Sequence, residues 1–128
     1  MTKIEPEDVF SNVPKIYEAA YHWINVGVSS DLDSRQNPFN MLKDNYKEDD
    51  LIIVKLDIDT PHVENVLARQ MRDDPQLANL IDHFYFEHHV HLKELEDSWG
   101  TDVKGSVADS LRLFHGLRKA GVAAHSWV

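Results

Sequence analysis

At 128 residues, with a 42% apolar share and three Trp, four Tyr and five Phe, the chain has the size and composition of one folded domain with one core rather than a disordered segment. Its formal charge of -9, spread over a sequence without runs of Lys or Arg, excludes nucleic acid and anionic membrane surfaces as expected partners. The absence of cysteine removes disulfides, thiolate catalysis and Cys-ligated zinc together, and leaves His, Asp and Glu to hold any metal.

The stretch "EPEDVFSNVPKIYEAAY" carries apolar residues at Val9, Val13, Ile16, Tyr17 and Ala20, a helical stripe interrupted by Pro14, which can open a second helical segment. "WINVGVSS" (residues 23 to 30) is a β-branched run and reads as a first strand. The polar, turn-rich segment that follows has room for a short helix from Pro38 to Asp44, and "KEDD" reads as a solvated turn. "LIIVKLDID" (51 to 59) is nearly continuous in apolar residues and turns acidic at its end, the pattern of a buried parallel strand. Thr60 and Pro61 then stand as N-cap and first residue of a helix whose face is marked by Val63, Val66, Leu67, Gln70 and Met71 and which stops at "DDP". "PQLANL" adds a helical turn, "IDHFYFEHH" (81 to 89) another buried strand, and Ser106 to Ala120 a helix closed by Gly121. In that helix Leu111, Phe114 and Leu117 are expected in the core, and "GVAAHSWV" completes a last strand.

Strand alternating with helix predicts a single α/β domain over residues 1 to 128, an open, mostly parallel sheet with flanking helices. No segment approaches the roughly 20 apolar residues of a membrane-spanning helix, and "MTKIEPEDVF" has no apolar signal core, so a soluble chain, cytoplasmic by default, is expected.

Ligands of open parallel sheets gather beyond the carboxyl ends of the strands, and three strand ends here are polar. Asp57 and Asp59 share a face with Lys55; Glu87, His88 and His89 end the next strand; His125, Ser126 and Trp127 end the last. Two aspartates one residue apart can bind a hard divalent cation or hydrogen-bond a ligand, and neutral imidazole can join them, so Asp57, Asp59, Glu87, His89 and His125 are the metal candidates. Asp59 can equally be a cap or loop anchor. Lys55, set among Ile, Val and Leu, either snorkels to solvent or meets a carboxylate, with Asp57 or Glu87 the natural partner, as a structural ion pair or as a poised catalytic group. Alternation separates His88 from the Glu87 and His89 face, while His83 and His91 read as surface or loop residues. Tyr85 and Trp99 either line a pocket or pack.

On "DLIIVKLDIDTPHVENVL", "IDHFYFEHHVH" and "SLRLFHGLRKAGVAAHSWV" the chain resembles the carboxyl-terminal portion of FkbM-type methyltransferases, class I enzymes that use S-adenosylmethionine. Lys55, Asp57 and Asp59 match that family's Lys-x-Asp-x-Glu positions, Thr60 stands where it has Gly, and its next glutamate falls on His62 or Glu64. The resemblance implies a Rossmann-like but incomplete fold, S-adenosylmethionine as cofactor with Glu5 at the ribose and Asp57 and Asp59 at the cofactor crevice, and methyl transfer to a hydroxyl of a small molecule or sugar. Glu87, His88, His89 and Lys55 are then the acid/base candidates. The family's glycine-rich loop has no counterpart upstream of Glu5, and its first strand, which would lie beside the Lys55 strand, is absent. Little activity is expected from this chain alone, and the exposed sheet edge invites self-association into a homo-oligomer. A metal-dependent Asp-x-Asp glycosyltransferase or hydrolase, and a non-catalytic self-associating module, are the alternatives.

Overall fold

The computed structural model describes residues 5–96 and 103–127, so the expectation for Trp99 lies outside the described residues. Three short strands, β1 (Ile53–Leu56), β2 (His83–Phe86) and β3 (Ala123–Ser126), form a wholly parallel sheet in the order β1-β2-β3, with Lys55, Tyr85 and His125 in one row. The connections are helical: α3 (Pro61–Asp73) and α4 (Pro75–Leu80) between β1 and β2, and α5 (Val107–Lys119) between β2 and β3. Ahead of them come α1 (Pro6–Phe10) and α2 (Pro38–Asn45). The protein is thus an α/β domain with an open parallel sheet and flanking helices.

Both crossovers step in the same direction across the sheet, and right-handed connections then put the helices on one face. Burial follows that geometry. Leu56, Phe84, Phe86 and Ala124 point to the helices and are buried with Leu67, Met71, Leu77, Phe114 and Leu117. The alternate set, Ile53, Lys55, His83, Tyr85 and His125, lies on the other face and stays exposed or half-buried. α5 begins with a capping box, in which the Ser106 hydroxyl accepts from the Asp109 N–H and the Asp109 carboxylate from the Ser106 N–H. It ends where Gly121, at φ +104, takes the left-handed turn that other residues resist.

Four expectations are corrected. Residues 23 to 30 form no strand: the run joins none of the three strands, and with Ile24 and Val26 exposed its β-branched side chains have no packed face to favour an extended ladder. Pro14 does open a second helical segment, but Lys15–Ala20 is a 3-10 helix that buries none of its residues. Leu111 is 67% exposed, and Leu113 takes the core position beside Phe114 and Leu117, because α5 turns its Leu113 side to the sheet. Thr60 stands at the N-cap of α3 without capping it; its hydroxyl donates to the Ile58 carbonyl instead.

Phe84, wholly buried at the centre of the middle strand, is expected to cost about 3–5 kcal/mol when replaced by alanine, a large share of a small domain's stability. Leu111→Ala is expected to stay within about 0.5 kcal/mol. Urea denaturation of the two variants checks the placement of α5 and the core together.

Candidate functional site

Beyond Leu56 the chain leaves the sheet, and the backbone N–H groups of Ile58 and Thr60 lose strand partners. Both donate to one buried side chain, Glu64 in the first turn of α3, at 2.9 and 3.0 Å. This clamp shapes the turn so that Asp59 sits at φ +52, a left-handed conformation that aspartate tolerates better than most residues. Asp59 is thereby brought to the end of β2, where its carboxylate, that of Glu87 and a ring nitrogen of His89 lie within 4.8 Å of one another. His89 is buried, and its Nε2 is 3.6 Å from Glu87 Oε1.

Asp57 and Lys55 complete this polar mouth. The Lys55 ammonium is 2.6 Å from the Asp57 carboxylate and 4.3 Å from the centre of the Trp127 ring, so an ion pair and a cation–π contact hold it at the strand ends. Of the two partners open to Lys55 in the sequence, the fold selects Asp57. The hydrogen bond from Lys55 pulls the Asp57 carboxyl below its ordinary value. Glu87 moves the other way: burial first, and then its hydrogen bond to the Asp57 carboxyl, raise it above its ordinary value. Two carboxyls in hydrogen-bonding reach are most stable with one proton or one cation between them.

His88 is on the opposite side of the strand end, as alternation requires. Its ring stacks on Phe86 with centroids 5.3 Å apart, and burial, with the nearby His89 and Arg69, keeps its pKa below the usual histidine value. His125 does not join the acidic group. It sits one row earlier, with its Nε2 3.3 Å from His83 Nδ1 and its ring stacked on Tyr85 at 4.7 Å. Tyr85 also meets Trp127 edge-on at 6.2 Å, so it belongs to an aromatic row on the open sheet face. His83 is half-buried in that row rather than a loop residue, while His91 is exposed, 3.2 Å from Glu96. Glu5 is exposed at the N-cap of α1 and is not among the residues gathered at the strand ends.

The residue that sequence reasoning undervalued is Glu64. Its signal is a carboxylate in the first turn of a helix directly after a strand, a position that also serves as an ordinary capping residue.

Comparison with protein-family models, with curated proteins and with solved structures finds no match for the chain, so its site is read from geometry.

Because the Glu87 pKa is raised, its contribution to stability is present below the ordinary glutamate value of 4.5 and is lost as pH climbs through the raised folded value. The Asp57 contribution has the opposite sign: it is present above the ordinary aspartate value of 3.8 and is lost as pH falls through the lowered one. Glu87→Gln is therefore expected to raise the melting temperature at pH 7, and the gain is expected to vanish near pH 4, where the native glutamate is itself protonated. Thermal melts of both proteins across pH 4 to 8 provide the check.

Proposed function

We propose that this chain is an enzyme domain that holds a divalent cation through Asp59, Glu87 and His89 and acts on a hydroxyl-bearing small molecule or sugar, by group transfer or hydrolysis. The observation that carries this reading is the convergence of those three ligand atoms within 4.8 Å at the carboxyl end of a parallel sheet. Metal–ligand bonds of about 2.0–2.2 Å place neighbouring donors about 3.0–3.6 Å apart, so a pair at the full 4.8 Å closes by about an ångström or more, while His89 Nε2 and Glu87 Oε1 are already 3.6 Å apart. Two carboxylates and one imidazole suit manganese or zinc better than calcium, which prefers more oxygens. Such an ion would polarise a substrate oxygen and lower the pKa of a bound water or hydroxyl.

The protein's own residues supply the rest. Lys55 fixes Asp57, so that its carboxylate keeps one orientation beside Glu87. Glu87 and Asp57, drawn to opposite sides of their ordinary values, form a pair able to hold a proton or take one from a hydroxyl. Trp127 and Tyr85 offer aromatic faces beside the mouth for a sugar or other flat apolar surface.

Titration with Mn²⁺, Zn²⁺ or Mg²⁺ is expected to raise the melting temperature by about 4 °C or more at saturating concentrations, an effect reversed by EDTA and lost in Asp59→Asn. A melt that no cation moves overturns the reading.

The methyltransferase reading has an observation of its own. The Lys55 strand, followed by Asp57 and Asp59, feeds a helix and lies at the sheet edge, where the FkbM-type order would add the family's first strand. On that reading the topology would be Rossmann-like, the cofactor S-adenosylmethionine, and Glu87 the base. Isothermal calorimetry with S-adenosylmethionine, in the presence of EDTA, separates the two: cofactor heat without metal favours the methyltransferase, and a cation-dependent melt without cofactor heat favours the metal enzyme.

A further inference from the structure

The side of the strand end opposite Glu87 and His89 carries a second polar cavity. It encloses about 380 Å³ between α3 and the start of α5 and is lined by Asn65, Arg69, Arg72, His88, Lys104 and Arg112, with Asp109 and Gly105 at its rim. Four cationic side chains therefore face one cavity in a chain whose formal charge is -9.

Their charge is only partly balanced. Arg72 is paired with Asp73, at 2.6 and 2.7 Å, and Arg112 with Asp109 at 2.5 Å. The Asp109 carboxylate also accepts from the Ser106 N–H and hydroxyl, and these bonds with Arg112 hold its pKa down to about 2. Arg69 and Lys104 have no ion-pair partner among the described residues. The Nδ1 of His88 is buried and likewise has no hydrogen-bond partner among them. The Arg72 stem packs over α5 at Gly116, with its Cδ 2.8 Å from where a Cβ on that glycine would stand.

From this arrangement we infer that the cavity binds the phosphate group of a small phosphorylated molecule. Uncompensated like charges held together repel, and an anion with several oxygens removes that repulsion while accepting from more than one donor at once. Guanidinium forks match phosphate oxygens in geometry, and the lysine adds a point charge. The cavity is large enough for a phosphate and part of the group that carries it. The Ser106 N–H is already engaged by the Asp109 carboxylate and the Asp109 N–H by the Ser106 hydroxyl, and neither is counted among the donors. This inference does not rest on the cation site, because none of the three proposed metal ligands lines the cavity.

The test is a ¹H–¹⁵N NMR titration of the full chain in EDTA at constant ionic strength, with inorganic phosphate, glucose 6-phosphate and glucose as separate probes. Saturable shifts centred on Arg69, His88, Lys104 and Gly105 are expected for both phosphates and none for glucose. Arg69→Ala and Lys104→Ala, both at exposed positions, are each expected to weaken binding tenfold or more, while Lys43→Ala, outside this cavity, leaves it unchanged. Tighter binding of glucose 6-phosphate than of inorganic phosphate supports the esterified ligand. Equal binding of the two overturns that assignment in favour of the free anion. Shifts that fail to saturate, or affinities equal in Arg69→Ala and the native chain, overturn the site.

Discussion

The mouth of this protein depends on one buried carboxylate engaged by the backbone. Glu64, itself buried, accepts two backbone N–H groups that leave the sheet after β1, and without it those half-buried donors would lose their acceptor. The clamp joins the end of β1 to the start of α3, fixes the left-handed turn at Asp59 and so determines where the Asp59 carboxylate can go. A local backbone requirement is met by a side chain, and the position of a candidate ligand follows from it.

The second constraint is alternation along a strand end. Glu87 and His89 turn to one side and His88 to the other, so a three-residue stretch divides its chemistry between two environments. One side is acidic and carries the ion pair of Lys55 and Asp57; the other meets the cationic side chains of α3 and the start of α5. Acidic and basic side chains are thus gathered on opposite sides of one strand end.

Among the described residues, one face of the sheet stays exposed or half-buried. Crossovers that step in one direction place the layers on one side, so Lys55, Tyr85, His125 and Trp127 form an open row of aromatic and cationic groups. None of the described helices is long and apolar enough to cross a membrane, and this open face belongs to the sheet.

Much of this was legible in the residues. The apolar run from Leu51 to Leu56 with its acidic end, the Pro-opened helices, the capping Ser106 and the closing Gly121 each carry a local cause, so the parallel strands, their connecting helices and the polar strand ends could be read without coordinates. Alternation alone separated His88 from Glu87 and His89. The edge position of β1 was decided only in three dimensions, and so was the exposure of residues 23 to 30, which leaves their strand-like composition without a face to pack against. The choice of Asp57 over Glu87 for Lys55, and the removal of His125 to the row of His83 and Tyr85, depended on register between strands. The cationic cavity was invisible for the same reason: Arg69, Arg72, Lys104 and Arg112 form no run in the sequence, and only the packing of α3 beside α5 makes them neighbours. Local periodicity records which way a side chain points along its own element, whereas what it meets there is decided by elements distant in the chain.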